Sequence, residues 1–169
     1  SMALLGKKVA LVGLDIRKPM LANYLNLPSQ GCLTSYLSDD SYTLEDTIVT
    51  SSIKNLDILP AGVIPPNPSE LLQSERLDVL FTELRKRYDC VVIDSAPVAL
   101  VSDTFLLNRV ADMTIYVTRA NYTTFDLIDF LNQTHEQQRL PKMVAVLNGA
   151  NAKKIGFGYG YGYGQDVKS

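Results

Sequence analysis

The stretch that decides the fold is residues 90–97, C-V-V-I-D-S-A-P, together with residues 9–19, V-A-L-V-G-L-D-I-R-K-P. Each begins as a short apolar run and then reaches an aspartate, Asp94 in the first and Asp15 in the second. Runs of this kind are typical of strands that are buried on both faces of a parallel sheet. Because ligands of such sheets bind at the carboxyl ends of the strands, both aspartates are candidate site residues.

Three further apolar runs, at residues 56–60, 113–117 and 143–147, complete a set of five predicted strands. Helical patterns alternate with them, and the clearest places one apolar face on Leu77, Leu80, Phe81, Leu84 and Tyr88. Alternating strands and helices indicate the α/β class. We therefore predict one open, mostly parallel twisted sheet flanked by helices.

Three helix starts are predicted from capping residues. Residues 67–70, N-P-S-E, combine an N-cap, a proline at the first helical position and a glutamate for a capping box. Ser102 and Thr123 are predicted to cap two later segments. The predicted core face of the last helix consists of Phe125, Leu127, Ile128 and Leu131.

Composition narrows the function classes. The 169 residues are 46% hydrophobic, which is enough for a packed core and excludes a wholly disordered chain. The net charge of -2 gives no basic excess, so we predict no nucleic-acid partner. Two cysteines, Cys32 and Cys90, do not make a disulfide scaffold and favour a reducing, cytosolic setting. No apolar run approaches the roughly 20 residues of a membrane helix.

The end of the chain changes character. Residues 156–164 alternate glycine with an aromatic ring, a composition that maximises chain entropy and leaves little to pack. We predict two parts, a folded domain over residues 1–150 and a flexible tyrosine-rich tail over residues 151–169.

Taken in order, residues 9–19, the stretch 65–72 (P-P-N-P-S-E-L-L), residues 91–97 and the tyrosine tail closely resemble one family. This is the cytoplasmic kinase domain of the bacterial tyrosine kinases that regulate capsular and exopolysaccharide assembly. The resemblance covers nearly the whole chain and implies a P-loop NTPase-like, Rossmann-like three-layer fold. Residues 9–19 resemble the Walker A-prime motif of that family, and Asp94 falls on its Walker B aspartate.

The resemblance implies phosphoryl transfer from Mg-ATP to tyrosine hydroxyls. Asp94 is then expected to hold Mg²⁺, and Asp15 to orient the metal or to accept the phenol proton. Arg17 is expected to stabilise phosphate charge, with a surface salt bridge as its alternative role. Asn148 is expected to read the adenine edge, although an Asn before Gly149 is also ordinary turn chemistry.

The same resemblance implies that the tail supplies the phosphate acceptors. Tyr159, Tyr161 and Tyr163 match the family's C-terminal tyrosine cluster, which a neighbouring subunit phosphorylates. The expected partners are other copies of the chain, a membrane-spanning polysaccharide co-polymerase segment or adaptor, and a tyrosine phosphatase. The expected location is the cytoplasmic domain of an inner-membrane-associated protein.

Two features depart from the family pattern. No G-x-x-x-x-G-K-[ST] phosphate loop occurs in the sequence, and Gly13 stands where the family usually has an acidic residue. We interpret residues 1–150 as a partial domain that lacks its first strand and phosphate loop. ATP and Mg²⁺ are expected cofactors of the intact domain, whereas this fragment by itself is predicted to be inactive.

Two other functions remain open. A partitioning or division-site ATPase shares the fold and a related aspartate pattern, but has no reason to carry a glycine-tyrosine tail. A non-catalytic regulatory scaffold would keep the fold and the tail but would not turn over ATP. The absence of a phosphate loop from the sequence and the glycine at position 13 both motivate this alternative.

Overall fold

The structure is a computed structural model that describes residues 1–25, 27 and 31–151. A four-stranded sheet has the order β2–β3–β1–β4, and a two-stranded sheet pairs β5 with β6. The strands are β1 Val9–Gly13, β2 Val49–Thr50, β3 Leu56–Leu59, β4 Cys90–Asp94, β5 Thr114–Arg119 and β6 Met143–Asn148. All five predicted strands are therefore present, and the mostly parallel α/β fold is confirmed.

The central strand of the larger sheet is β1, which pairs in parallel with β3 on one side and β4 on the other. Its apolar side chains are enclosed, with Ala10 and Val12 fully buried. The extra strand β2 has only two residues and runs antiparallel to β3 at the edge. Such a short edge strand carries no apolar pattern, so the sequence did not predict it.

The described helices are α1 Leu21–Leu25, α2 Leu33–Ser38, α3 Leu44–Thr47, α4 Pro68–Gln73, α5 Glu75–Arg87 and α6 Phe125–Glu136. A 3-10 helix, Ser102–Arg109, lies between β4 and β5, and a shorter one, Ala3–Leu5, begins the chain. The predicted face of α5 is correct, since Leu77, Leu80, Phe81 and Leu84 are buried in one core with β1.

The expectation of one continuous sheet is wrong for the described residues. The β5 and β6 strands pair with each other in parallel, in a sheet separate from the one that β4 ends. As a result the apolar runs are less enclosed than their composition predicts. Val92 on β4 is 44% exposed, and Ile115 and Val117 on β5 are each 61% exposed.

The predicted start of α4 is confirmed in position, since Asn67 is the N-cap and Pro68 the first helical residue. The capping hydrogen bond is absent, and the Asn67 amide nitrogen donates to Glu70 Oε2 at 2.7 Å. The other two predicted starts need correction. Thr124 is the N-cap of α6, while the Thr123 hydroxyl accepts the Arg119 N–H at 2.8 Å. Ser102 is the first residue of its 3-10 helix, which Val101 precedes as N-cap.

The predicted core face of α6 is correct in part. Leu131 is buried, whereas Phe125, the first residue of the helix, is 89% exposed. Among the residues that the structure describes, no helix has the length and apolar character needed to cross a membrane.

Candidate functional site

The two candidate aspartates lie side by side at one edge of the larger sheet. The register of β1 and β4 pairs Gly13 with Asp94, so both strands end at the same level. The Asp94 carbonyl accepts the backbone N–H groups of Leu14 and Asp15, at 2.7 and 3.1 Å. Because the strands are parallel, this is the carboxyl edge, where ligands of open α/β sheets bind.

The two side-chain oxygens of Asp15 have different surroundings. Its Oδ1 accepts the backbone N–H groups of Arg17 and Lys18, at 3.3 and 2.9 Å, and thereby fixes the turn after β1. Its Oδ2 accepts no hydrogen bond from the residues described. Turn formation therefore accounts for one oxygen and leaves the other available to a ligand.

The environment of Asp94 disfavours the ionised form of its carboxyl group. Partial burial raises the pKa of its carboxyl above the ordinary value, and the nearby negative charge of Asp15 raises it further. Two neighbouring negative charges favour a proton or a cation beside them. Within the described ranges no group of three or more potential metal ligands occurs, so the site offers the aspartate pair alone.

Arg17 lies beside the aspartate pair, but its guanidinium is held by another residue. It forms an ion pair with Asp103, to which both its Nε and its Nη2 donate. The same Nη2 donates to Ser69 Oγ at 3.1 Å. The alternative role of Arg17 as a partner in a salt bridge is therefore present in the structure.

Sequence reasoning missed both partners of Arg17. Asp103 lies 86 residues further along the chain, and no local pattern links the two. Ser69 lies in the predicted helix start and in the 65–72 stretch that resembles the kinase family, but neither pattern pairs it with Arg17. The sequence feature that could have indicated Asp103 is the polar pair Ser102-Asp103, which follows the apolar strand and Asp94.

A small cleft adjoins these side chains. It encloses about 230 Å³ counted to its open mouth. Its lining brings together residues from the turn after β1, from α4, from the segment after β4 and from the Ser102–Arg109 helix: Leu14, Asp15, Ile16, Arg17, Leu72, Ala96, Val101, Asp103, Thr104 and Leu107. Much of that volume is open to solvent, and pockets for small molecules usually measure about 300–1,000 Å³, so the cleft by itself is too small for a nucleotide.

Gly13 is closely packed. A side chain there would place its Cβ at 3.1 Å from the Ala61 nitrogen and at 3.3 Å from Leu21 Cδ2. Any side chain at this position would therefore require the loop after β3 or α1 to move by a few tenths of an ångström.

Asn148 is not part of this cluster. It ends β6 in the smaller sheet, and its side-chain Oδ1 accepts the Gly149 N–H at 2.8 Å. This is the ordinary turn chemistry that the sequence left open as its alternative. The predicted acceptors Tyr159, Tyr161 and Tyr163 lie outside the described residues.

Comparisons with known proteins agree on one class. No family model matches the chain. The tyrosine-protein kinase YwqD of Bacillus subtilis is 34% identical over 149 residues, which are 88% of this chain and 62% of YwqD. A putative tyrosine-protein kinase in the cps region of Klebsiella pneumoniae is 32% identical over 148 residues, or 88% of this chain and 20% of that protein.

Solved structures give the same result. The VpsO kinase domain is 34% identical with a TM-score of 0.78, over 89% of this chain and 73% of that one. The kinase domain of the Escherichia coli tyrosine kinase ETK is 28% identical with a TM-score of 0.82, over 96% and 64%. A Pyrococcus horikoshii MinD complexed with Mg-ADP, at 19% identity and a TM-score of 0.66 over 90% and 63%, shares the fold.

Fold and edge together define an α/β domain of the P-loop NTPase class, with an acidic pair at the carboxyl edge of a mostly parallel sheet. Within that class, the chain belongs to the family of bacterial tyrosine kinases. It spans less than two thirds of YwqD and about a fifth of the Klebsiella relative.

Proposed function

We propose that this chain is part of a protein-tyrosine autokinase, which transfers the γ-phosphate of ATP to its own C-terminal tyrosines and so regulates polysaccharide polymerisation and export. The observation that carries this proposal is the adjacency of Asp15 and Asp94 at the carboxyl edge, joined through a backbone hydrogen bond of 3.1 Å. Family membership supports the same activity.

The aspartate pair fits Mg²⁺. This ion prefers oxygen ligands and usually keeps several waters, so one or two carboxylates are enough to hold it. The oxygen of Asp15 without a hydrogen bond and the raised pKa of Asp94 are both features that a bound cation would relieve. When bound, Mg²⁺ supplies neutralisation of the charge on the transferred phosphoryl group.

The roles of the side chains follow from their positions. Asp94 would hold Mg²⁺ through water, and Asp15, whose backbone is fixed by Asp94, would orient the metal or accept the proton of the incoming phenol. Arg17, which lines the cleft, would neutralise phosphate charge. Asn148 contacts the adenine edge from the smaller sheet, which would require its side chain to leave the Gly149 N–H.

We propose that the phosphate cradle comes from a segment outside these 169 residues. The sequence has no glycine-rich phosphate loop, and the described cleft is small for a nucleotide. The sheet also leaves room for another strand, since β4 ends the larger sheet with Val92 44% exposed. Exposed apolar edges of this kind are readily covered by an added strand.

The tail of residues 151–169 supplies the acceptors in this proposal, and a second copy of the protein phosphorylates it. Each phosphate adds about -1.5 to -2 charges at pH 7, so several on one tail repel one another and weaken assembly. A transmembrane co-polymerase segment or adaptor and a tyrosine phosphatase complete the set of partners. The free thiols Cys32 and Cys90 are consistent with a location on the cytoplasmic side of the membrane.

Phosphorylation of the full-length native protein tests this function. We expect Mg-ATP to produce phosphate on Tyr159, Tyr161 and Tyr163, read by mass spectrometry. Asp15→Asn and Asp94→Asn should each lower the rate by about a hundredfold or more, the scale of losing one electrostatic group at a reacting centre. Asp112→Asn is the matched control, because Asp112 pairs with Arg85 away from the cleft.

The same experiment separates the alternatives. Hydrolysis of ATP without modification of the three tyrosines would contradict the kinase and support a partitioning-type ATPase. Failure of the full-length protein to bind Mg-ADP, measured by calorimetry, would contradict both enzymes and support a regulatory scaffold.

A further inference from the structure

Asp103 is the most completely engaged carboxylate near the cleft. Its side chain is only 14% exposed, although it lies in the first turn of a helix at the protein surface. Its Oδ2 accepts Arg17 Nε at 2.8 Å and also Arg17 Nη2, while its Oδ1 accepts Ser69 Oγ at 3.1 Å. Ser69 in turn contacts Arg17 Nη2 at 3.1 Å, so the three side chains form a closed ring of hydrogen bonds.

This ring joins three separate parts of the chain. Arg17 belongs to the turn after β1, and Ser69 to the first turn of α4. Asp103 is tied to the segment after β4 through its neighbour, since Thr104 Oγ1 donates to the Ala96 carbonyl at 2.8 Å. Asp103 is therefore linked through Arg17 to the turn that carries Asp15 and, through Thr104, to the segment that follows Asp94.

The ring leaves one end of the Arg17 guanidinium available. Nε and Nη2 are both used, whereas Nη1 donates to no residue in the described part of the chain. The Arg17 side chain is 43% exposed and lines the same cleft as Asp15 and Asp103. A guanidinium donates along two edges, so one held on the first can still bind an anion with the rest.

Without Asp103, the Arg17 guanidinium would lose the carboxylate with which it pairs. Arg17 is two residues from Asp15, which lies beside Asp94, and a free guanidinium is drawn towards two close carboxylates. An arginine bound there would compete with a divalent cation. In the structure Arg17 pairs with Asp103 instead, which leaves the aspartate pair open.

We propose that Asp103, supported by Ser69, is a positioning residue that holds Arg17 at the cleft, away from Asp15 and Asp94 and with Nη1 free for a phosphate oxygen of the nucleotide. This role rests on the proposed kinase function for its phosphate ligand. In this role Asp103 does not contact the reacting atoms, and it acts only through Arg17.

The test compares Asp103→Asn with Asp112→Asn in the full-length native protein. Both substitutions remove one carboxylate from an arginine ion pair, but only Asp103 adjoins the cleft. We expect Asp103→Asn to lower kcat/KM for Mg-ATP by about tenfold or more and to raise the Mg²⁺ concentration needed for half-maximal rate. Asp112→Asn should change neither quantity, and thermal unfolding of both variants shows whether they remain folded.

A double-mutant cycle with Arg17→Ala shows whether Asp103 acts through Arg17. We expect Asp103→Asn to change kcat/KM by less than about twofold once Arg17 is already removed. Ser69→Ala should give a smaller loss in the same direction. Additive losses from Arg17→Ala and Asp103→Asn would overturn the proposal, as would equal behaviour of the Asp103 and Asp112 variants.

Two further measurements do not depend on phosphorylation. The Nε–H resonance of Arg17 in a ¹⁵N spectrum should be protected from exchange in the native protein and lose that protection in Asp103→Asn. Affinity for Mg-ADP should fall in the same variant. If the native protein transfers no phosphate, the kinase proposal fails, while an unprotected Arg17 Nε–H or unchanged Mg-ADP affinity would overturn the positioning role separately.

Discussion

The four-stranded sheet and the β5–β6 pair are built from similar apolar strands, yet among the described strands only β1, in the four-stranded sheet, is buried along most of its length. Four of the five residues of β1 are buried, whereas five of the six residues of β6 are exposed. The large apolar core extends from Ala10 to Val110 and takes no member from β5, α6 or β6. Parallel strands need cover on both faces, and the smaller unit has only one helix to provide it.

The candidate site residues are divided unevenly between the two halves of the molecule. Asp15, Asp94 and the ring around Asp103 all belong to the half that contains the four-stranded sheet and the large apolar core. Asn148 belongs to the other half, which contains the β5–β6 pair. A two-stranded unit is marginal alone, and we expect it to depend on further covering elements.

The largest expected effect comes from shortening one leucine in each half. Leu80 is fully buried in the core, whereas Leu147 on β6 is 53% exposed. Leu80→Ala should lower the free energy of unfolding by about 2–5 kcal/mol, because it removes buried methyl groups and leaves a cavity. Leu147→Ala should cost less than about 0.5 kcal/mol. Urea unfolding of both variants measures the difference, and equal costs would show that the two halves are equally packed.

A pair of glycines separates backbone conformation from packing. Gly62 and Gly149 both have positive φ, at 92° and 66°, so alanine is strained at either position. Around Gly62 a Cβ would meet the Cβ of Cys32 at 2.6 Å, whereas at Gly149 the nearest atom is 3.7 Å away. We expect Gly62→Ala to cost about 2–4 kcal/mol and Gly149→Ala about 1 kcal/mol. If thermal unfolding shows similar losses of stability for the two variants, the residues around Gly62 move at little cost to make room for the added Cβ.

The positions of the strands were predicted equally well in both halves. Apolar runs located every main strand, and the rule for parallel sheets placed Asp15 and Asp94 at one edge, because both depend on short-range patterns. Burial was predicted less well. Val117 and Val92 have the same apolar character as Val12, but their exposure depends on which elements cover them, and a strand's own sequence carries no record of that.

Polar side chains were harder to predict for a different reason. Asn67 is the N-cap residue of α4, as its identity and position predict, but its side-chain oxygen accepts no cap hydrogen bond and its amide nitrogen donates to Glu70 Oε2. The pairing of Arg17 with Asp103 spans 86 residues, and only the folded chain brings the two together.

Arginines of the two halves should also differ. Arg76 is held by three backbone carbonyls, with Nε donating to Tyr36 at 2.7 Å and Nη2 to Tyr42 at 3.1 Å and to Asp39 at 3.3 Å. It also pairs with Asp40. Arg76→Ala should therefore cost about 2 kcal/mol, since these carbonyls lose a charged donor.

Arg119 on β5 is the matched control for Arg76. It stacks loosely over Tyr122, at 5.8 Å from the ring centre, and its residue is exposed. Arg119→Ala should cost less than about 0.5 kcal/mol in urea unfolding. A loss as large as that of Arg76→Ala would contradict the view that polar networks, like the apolar core, are concentrated in the four-stranded half.

The smallest effect concerns one tyrosine in each half and its dependence on pH. The Tyr88 hydroxyl donates to Asp57 Oδ2 at 2.9 Å. Burial, this hydrogen bond and the charge of Asp57 raise the pKa of Tyr88 to about 12. Tyr116 on β5 has a pKa raised by burial alone. Near neutral pH, Tyr88→Phe should cost about 1 kcal/mol, because Asp57 loses its donor, and Tyr116→Phe should cost less.

The sign of the pH effect follows from the raised pKa of Tyr88. The folded protein holds the phenol proton more tightly than the unfolded chain does, so this contribution is complete below pH 10 and is lost as the pH rises from 10 to about 12. Phenylalanine has no proton to lose, so the stability of Tyr88→Phe should approach that of the native protein across this range. Urea unfolding at increasing pH measures the gap, and a gap that stayed constant would mean that the bond to Asp57 does not hold the proton.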